Sequence, residues 1–254
     1  MRILFGCLLA LTCGAASARS LALAAAADLQ FAMVEVAAAF ENAHPGLHLA
    51  VTYGSSGAFF AQIQNGARFD LFLSADMAYP EKLAQAGLAE PASLCRYSRG
   101  QLVVWVPKAS PIPVEALGLR ALTHPAARRI AMANPRHAPY GRAAEAALAT
   151  AGLLEALRPR LVFGENITQA AQFVQSGAAD VGILALSLAL APPMVASEGR
   201  YRILPPDSYP ALNQGAVVLR SAQTPAEARA FLAFLQSPGG RAILRRYGFL
   251  VEGS

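Results

Sequence analysis

Four short loops of this sequence combine residue types that could bind an anion. Each joins an apolar run to an amphipathic stretch and contains small or polar residues, which leave backbone N–H groups accessible at the start of a helix. The loops are Ala26-Ala27-Asp28, Gly54-Ser55-Ser56-Gly57, Ala138-Pro139-Tyr140-Gly141 and Glu165-Asn166-Ile167-Thr168. First-turn N–H groups have no intrahelical acceptor, and the helix macrodipole adds partial positive charge at that end. Several such ends meeting at one point would bind an oxyanion without an arginine, although each loop alone is equally typical of ordinary helix capping.

The elements that must position these loops follow from the alternation of apolar runs and amphipathic stretches. Leu21 to Ala26, Phe31 to Phe40 and Leu47 to Tyr53 are typical of a β-α-β unit. The same rhythm continues through Phe69 to Leu73, Tyr79 to Ala86, Leu102 to Val106, Arg129 to Ala133, Leu161 to Phe163 and Val181 to Leu186. We therefore expect an α/β protein with mostly parallel sheets.

The C-terminal part of the chain lacks this rhythm and predicts two helices. Thr224-Pro225 begins the first helix, which continues to Leu235. A break is expected over Ser237 to Gly240, and a second helix over Arg241 to Tyr247.

Two further stretches suggest that the chain crosses between domains. Tyr97 to Val106 and Pro205 to Val218 each begin with polar or turn-forming residues and end as a strand, which favours two hinge strands. The predicted division is a discontinuous domain I of residues 19–104 and 206–254, and a domain II of residues 105–205. Ligands of open α/β sheets bind at the carboxyl ends of the strands, so the cleft between these domains is the expected site.

The composition excludes several other classes of protein. The 254 residues are 55% hydrophobic and 15% charged, which is typical of a globular chain. After residue 27 no run approaches the ~20 uninterrupted apolar residues of a membrane-spanning helix. The net charge of +5 comes from scattered arginines, so no basic tract that could follow a nucleic-acid backbone is present in the sequence.

The first residues predict an export signal. Met1 and Arg2 precede an apolar run from Ile3 to Leu11, and Ala16-Ser17-Ala18 has the small residues that signal peptidase accepts. We expect residues 1–18 to be removed and the mature protein to be periplasmic, soluble and monomeric. Cys13 lacks the small preceding residue of a lipoprotein signal, so no lipid anchor is expected. Cys95 would then remain as a single cysteine that fills apolar space, without a disulfide.

Two other chemistries fit the sequence poorly. A secreted α/β hydrolase would need a Gly-x-Ser-x-Gly elbow, but Ala58 occupies the final position of the segment that begins at Gly54. A ferric-binding protein would need converging phenolates and carboxylates. The histidines and the tyrosines considered for these roles are spread along the chain: His44, His48, His124 and His137, and Tyr140, Tyr201 and Tyr209. Of these, His137 lies beside an expected anion-binding loop and remains a candidate for ligand contact or pH sensing.

Six motifs in register resemble one known family over essentially all of the mature chain. They are Ala25-Ala26-Ala27-Asp28-Leu29, Tyr53-Gly54-Ser55-Ser56-Gly57, Phe69-Asp70-Leu71-Phe72-Leu73-Ser74-Ala75-Asp76, Asn134-Pro135 through Pro139-Tyr140-Gly141, Asp180-Val181-Gly182-Ile183 and Arg246-Tyr247-Gly248-Phe249. Their order and spacing are similar to those of the periplasmic molybdate-binding proteins of bacterial ABC importers. The resemblance implies a type II periplasmic binding protein, with two α/β domains joined by two hinge crossovers and the ligand cleft between them.

The resemblance also implies the ligand contacts and the partners. By position, the contacts would fall at Asp28, Ser56, Tyr140 and Ile167, with a possible fifth at Ala185. Ser56 would donate its hydroxyl and N–H, whereas Tyr140 and Ile167 would donate backbone N–H groups. The implied protein is not an enzyme and has no cofactor; it binds molybdate or tungstate and works with an ABC permease in the inner membrane. Phosphate or sulfate remains an alternative ligand.

Two positions depart from the family pattern. Asp28 stands where relatives commonly have a serine hydroxyl, and Ala185 stands where some have a tyrosine hydroxyl. An ionised Asp28 would repel a dianion, so we expect its carboxylate to turn away and cap its helix. Two alternatives are a ligand that carries a proton for the carboxylate to accept, and a carboxylate held by a nearby arginine or lysine.

Overall fold

The computed structural model describes residues 19–251 and shows two five-stranded sheets, each with helices packed against it. The predicted signal peptide, residues 1–18, lies outside the described residues. Within the described part, no helix has both the length and the apolar character needed to cross a membrane.

The first sheet contains the opening strands of the chain and one strand that returns late. Its strands are β1 (Arg19–Ala26), β2 (Leu47–Gly54), β3 (Leu71–Ser74), β4 (Cys95–Gly100) and β10 (Leu212–Val218). The strand order is β2-β1-β3-β10-β4. Alternate residues of β1 belong to the cores on opposite faces, because Leu21 and Leu23 pack on one side and Ala24 on the other. Burial on both faces explains why this strand is almost continuously apolar.

Five helices cover the first sheet. They are α1 (Gln30–Ala43), α2 (Ser56–Gln64), α3 (Ala78–Gln85), α10 (Pro225–Gln236) and α11 (Pro238–Arg246). Phe40 of α1 and Phe231 of α10 meet edge to face on one side of the sheet, with ring centroids 5.2 Å apart. Phe59 of α2 and Phe72 of β3 belong to the smaller core on the other side. Because α2 follows directly on β2, the N-terminus of α2 lies at the carboxyl end of that strand.

The second sheet has the same size and a similar arrangement. Its strands are β5 (Leu102–Val106), β6 (Ile130–Ala133), β7 (Leu161–Gly164), β8 (Val181–Ala185) and β9 (Arg200–Ile203), in the order β7-β6-β8-β5-β9. Its helices are α4 (Val114–Leu117), α5 (Pro139–Thr150), α6 (Leu154–Leu157), α7 (Ile167–Gln175), α8 (Leu186–Ala189) and α9 (Pro192–Ala196). Trp105 is fully enclosed in the core of this half. Four 3-10 turns complete the described elements: Ala27–Leu29, Pro91–Ser93, Gly118–Thr123 and Arg158–Arg160.

The α/β class is confirmed, but the prediction of mostly parallel sheets is wrong. In the first sheet β1 is parallel to β2 and β3, whereas β10 is antiparallel to β3 and β4. In the second sheet β6 is parallel to β7 and β8, whereas β5 is antiparallel to β8 and β9. The antiparallel strands β5 and β10 are those that enter a sheet from the other half of the molecule. They are not preceded by a helical crossover within their own sheet, so the rule that makes β-α-β strands parallel does not act on them.

The chain passes twice between the two sheets. It first crosses between Gly100 at the end of β4 and Leu102 at the start of β5, and it returns between Ile203 and Leu212. Residues 102–104, which the sequence analysis assigned to domain I, pair with β8 and β9 in the second sheet. The sheet pairing therefore places the first crossing at Gln101.

The two C-terminal helices differ from expectation at their junction. The predicted break over Ser237 to Gly240 is reduced to Ser237, which is the N-cap of α11 and accepts a hydrogen bond from the Gly240 N–H at 3.3 Å. Pro238 occupies the first helical position, where a missing N–H has no cost. The Ser-Pro pair therefore begins a helix, and the two following glycines lie within its first turn.

Candidate functional site

The four loops singled out in the sequence line one small cavity between the two sheets. Ala26, Ala27 and Asp28 lie at the end of β1 and just after it, and Gly54, Ser55 and Ser56 lie likewise at the end of β2, all on the side of the first sheet. The second half contributes Ala138, Pro139 and Tyr140 at the start of α5, and Asn166 and Ile167 at the start of α7. Ala75, after β3, completes the lining. The cavity encloses about 200 Å³ that protein atoms do not fill, part of it open to solvent.

Three helices point their N-termini at this cavity. Ser56 is the first residue of α2, Tyr140 is the second residue of α5 after Pro139, and Ile167 is the first residue of α7. Their N–H groups have no acceptor within the helix, and no hydrogen bond to another segment of the described chain uses them. The cavity therefore has backbone donors from both halves of the molecule, together with the positive ends of three helix dipoles.

Ser56 adds a side-chain donor. The residue is 1% exposed, and its Oγ accepts a hydrogen bond from the Ala75 N–H at 2.9 Å. That bond fixes the oxygen and leaves the hydroxyl hydrogen available to an acceptor in the cavity. The neighbouring N-cap of α7, Asn166, is used differently, because its side chain accepts from the Gln169 N–H at 3.0 Å and so satisfies the helix itself.

Asp28 is the only charged residue among the described residues that line the cavity. Its side chain is enclosed, at 1% exposure, and its Oδ2 accepts two hydrogen bonds. One comes from the Tyr140 hydroxyl at 2.9 Å, and the other comes from the side-chain amide of Gln214. The Oδ1 atom is buried and has no hydrogen-bond partner. This arrangement differs from the helix-capping role that the sequence favoured, and also from a carboxylate held by arginine or lysine.

Burial has the largest effect on the pKa of the Asp28 carboxyl group. It raises the pKa of Asp28 from 3.8 to about 6, against the lowering effect of the hydrogen bonds from Gln214 and Tyr140. The N–H groups of Asp28 and Leu29 face the carboxylate and lower its pKa further, without making a hydrogen bond of normal geometry. Burial, together with the Asp28 charge, also raises the pKa of Tyr140 well above its ordinary value, so the phenol keeps its proton and donates it.

Gln214 and the residue that orients it, Ser98, were not among the residues predicted from the sequence. Gln214 lies on β10, is fully buried, and its Oε1 accepts from the Ser98 hydroxyl at 2.9 Å. That bond directs the amide nitrogen towards Asp28. A signal was present, because Gln214 is followed in its strand by apolar or small residues as far as Val218, and a buried glutamine needs a partner.

Contacts across the cleft hold the two halves together in a closed arrangement. The Gly57 N–H donates to the His137 carbonyl at 2.9 Å, and the Ser55 Oγ lies 2.9 Å from the His137 Nδ1. At one side opening of the cleft, Arg142 forms an ion pair with Asp76 at 2.6 Å. Further contacts join Arg142 to the Tyr79 hydroxyl at 3.0 Å, the Thr168 hydroxyl to the Ala27 carbonyl at 3.0 Å, and the Ser187 hydroxyl to the Asp28 carbonyl at 2.8 Å. Closure therefore brings the four loops together around the cavity.

Two other residues predicted from the sequence, Ala185 and His137, lie outside the lining of the cavity. Ala185 is fully buried at the end of β8 and is not part of the lining. His137 contacts Ser55, as described, and its Nε2 lies 3.4 Å from the exposed Glu165 carboxylate. The serine–histidine–glutamate order of these contacts is that of the catalytic groups of a hydrolase. Here, however, Ser55 and His137 belong to opposite halves of the molecule, and their contact joins the two halves. Within residues 19–251, no group of three or more His, Cys, Asp or Glu side chains is placed to hold a metal ion.

A second, larger space lies away from these loops. About 750 Å³ beside β4 and α11 is open to solvent and is lined by Arg96, Arg99, Asn213 and Arg241, among others. None of the four loops borders it, so the converging helix N-termini are confined to the cleft.

Comparison with known proteins gives one consistent result. The model of the bacterial extracellular solute-binding protein family matches residues 21–250. The molybdate-binding protein ModA of Rhodobacter capsulatus is 36% identical over 238 residues, which cover 93% of this chain and 90% of that protein. ModA of Azotobacter vinelandii is 36% identical over 235 residues, covering 92% and 91%. The solved structure of the periplasmic molybdate-binding protein of Azotobacter vinelandii superposes with a TM-score of 0.84 and 32% identity, over 92% of this chain and all of the other.

Proposed function

Because the chain belongs to the bacterial extracellular solute-binding proteins, and among them to the molybdate-binding proteins, we propose that its cleft captures molybdate or tungstate for delivery to an ABC permease. The observation that carries this proposal is the meeting of three helix N-termini, from both halves, at one cavity without a cation in its lining. A fully deprotonated oxyanion offers only acceptors, so it is best matched by donors alone.

The proposed contacts are the Ser56 hydroxyl and N–H, the backbone N–H groups of Tyr140 and Ile167, and Asp28. Donors from both halves explain how capture and closure are linked, because the anion can be fully surrounded only when the halves meet. Ala185 would not contact the anion in this arrangement, since it lies outside the lining.

The proposal extends to the cellular setting. The chain is exported with residues 1–18 removed, acts as a monomer in the periplasm, and carries out no catalysis. Mass spectrometry of the exported protein should give a mature N-terminus at or near Arg19. Retention of Met1 would contradict export, and turnover of an ester by Ser55 and His137 would contradict the non-catalytic role.

The experiment that tests the proposed ligand is a calorimetric titration with molybdate, tungstate, sulfate and phosphate. Ser56→Ala should weaken molybdate binding by about 1 to 3 kcal/mol, or roughly tenfold to a hundredfold, because a donor in a desolvated cleft is lost. Ser176→Ala is a matched control, since Ser176 is exposed at the far end of α7 and its hydroxyl donates to the Phe173 carbonyl of the same helix, away from the cavity. Tight phosphate binding without a response to molybdate or tungstate would refute the assignment.

A further inference from the structure

The two oxygens of the Asp28 carboxyl group have opposite environments. Oδ2 accepts from Tyr140 and Gln214, and two donors occupy both of its in-plane lone-pair sites. Oδ1 is equally buried, belongs to a residue of the cavity lining, and receives no hydrogen bond of normal geometry. A buried polar atom without a partner is costly in a native protein and points to a group that is supplied by something else.

Tyr140 and Gln214 can only donate to Oδ2 and cannot accept a proton from the carboxyl group. The Ser98 hydroxyl holds the Gln214 Oε1 at 2.9 Å, so the Gln214 amide must present N–H groups to Asp28. Tyr140 also stays a donor, because burial and the Asp28 charge hold its proton. If the carboxyl group takes up a proton, that proton can reside only on Oδ1.

Within residues 19–251, no positively charged side chain pairs with Asp28. The groups that face its carboxylate are neutral: the Tyr140 hydroxyl from α5, the Gln214 amide from β10 and the backbone N–H groups of Asp28 and Leu29. The Tyr97 phenol of β4 is close enough for the Asp28 charge to raise its pKa. The titratable side chains beside the cleft are engaged elsewhere: Arg142 binds Asp76, and His137 contacts Ser55 and Glu165. A dianion in the cavity would therefore meet an uncompensated negative charge if Asp28 were ionised.

We propose, as an extension that rests on the proposed function, that each oxyanion enters together with one proton, which Asp28 carries on Oδ1 and donates as a hydrogen bond to the anion. The proton comes from solvent, and no bond within the anion changes. Protonation removes the repelling charge and completes the donor set with a side-chain donor at the position of the unpartnered oxygen. Because burial already raises the pKa of Asp28 to about 6 in spite of the hydrogen bonds that lower it, the added field of a bound dianion favours the neutral form further.

The test is calorimetry of molybdate binding to the full protein between pH 6 and 8 in two buffers with different heats of ionisation. Near pH 8 the wild type should take up close to one proton per molybdate. Its dissociation constant should rise by up to about tenfold per pH unit above pH 6, the slope of a single linked proton.

Asp28→Asn separates this mechanism from others, because its amide reproduces the protonated carboxyl group. The asparagine carbonyl can accept from Tyr140 and Gln214, and its NH₂ group donates at the position of Oδ1 at every pH. We expect this variant to take up no proton, to show a flat pH profile, and to bind molybdate more tightly than the wild type at pH 8, by up to about a hundredfold for the two pH units above the pKa. Asp207→Asn, at an exposed carboxylate, should behave as the wild type.

The outcomes are distinguishable. Tight molybdate binding by the wild type without proton uptake at pH 8 would overturn the proposal and leave the proposed function intact. A preference for phosphate that Asp28→Asn abolishes would also overturn it, because the ligand would then supply the proton to an ionised Oδ1. If no oxyanion binds between pH 6 and 8, the proposed function fails and the proposal fails with it. Should Asp28→Asn not fold, the wild-type proton count and pH profile decide.

Discussion

Replacing Asp28 by asparagine should stabilise the ligand-free protein at neutral and alkaline pH but not at acidic pH. In the folded protein burial raises the pKa of this carboxyl group from 3.8 to about 6. Between these two values the folded state binds more protons than the unfolded state. The free energy of unfolding of the wild type therefore falls as pH rises from about 4 to 6, and the cost of burying the charge is fully present above about pH 6.

The size of this effect follows from the pKa difference. About two pKa units correspond to about 3 kcal/mol at 1.36 kcal/mol per unit, and no discount for solvent is needed because Asp28 is 1% exposed. Asparagine has nearly the same shape and keeps an acceptor for Tyr140 and Gln214. The variant should thus be more stable than the wild type by up to about 3 kcal/mol at pH 8, with a difference that shrinks steadily below pH 6.

Urea unfolding of both proteins at several pH values between 4.5 and 8, without added anion, measures this difference. Asp207→Asn serves as the control, because an exposed carboxylate should give no comparable trend. A destabilisation of Asp28→Asn that is equal at every pH would refute the reasoning, since it would mean that the amide disturbs the packing and that no buried charge is relieved.

Two other predictions concern closure of the cleft. Gly57→Ala should weaken molybdate binding by roughly tenfold to a hundredfold. Its Cβ would lie 2.5 Å from the His137 carbonyl oxygen of the opposite half, and such overpacking costs about 1 to 3 kcal/mol. The control Gly239→Ala, whose added methyl has room, should bind molybdate normally in the same titration. Arg142→Gln should weaken binding by about 0.5 to 1 kcal/mol, less at high salt, since its ion pair with Asp76 is partly exposed. A double-mutant cycle with Asp76→Asn measures that pair, and a coupling energy near zero would show that it does not contribute to closure.

The sequence was sufficient to predict the class of fold and the loops that line the cavity. The near-continuous apolar strand at Leu21 to Ala26 and the helical spacing of Phe31 to Phe40 are local patterns, and both elements are present in the structure. The loops could be chosen because strand-to-helix junctions lie at the carboxyl ends of strands, whichever way the sheets are ordered. Their meeting at one cavity followed from that rule and from the family resemblance.

What could not be predicted depends on contacts between distant parts of the chain. Gln214 reaches Asp28 from 186 positions away, and no local pattern indicates which buried carboxylate a strand glutamine will meet. The antiparallel pairing of β5 and β10 could not be predicted for the same reason. The direction of a strand that arrives from another domain is not determined by its own residues. For Asp28, the expectation of capping came from local geometry, whereas the tertiary partners Tyr140 and Gln214 offer it two side-chain hydrogen bonds instead.

The division of the donors between the two halves has a consequence for release. Among the proposed contacts, Ser56 and Asp28 belong to one half and Tyr140 and Ile167 to the other. A partner that grips both halves and pulls them apart would therefore take a share of the anion's hydrogen bonds from each side at once. No chemical change in the cargo and no competing ligand is required for this. A rotation about the two chain crossings would be enough to separate the two sets of donors and so weaken the binding of the anion. Mechanical work on the hinge is thereby converted directly into unloading.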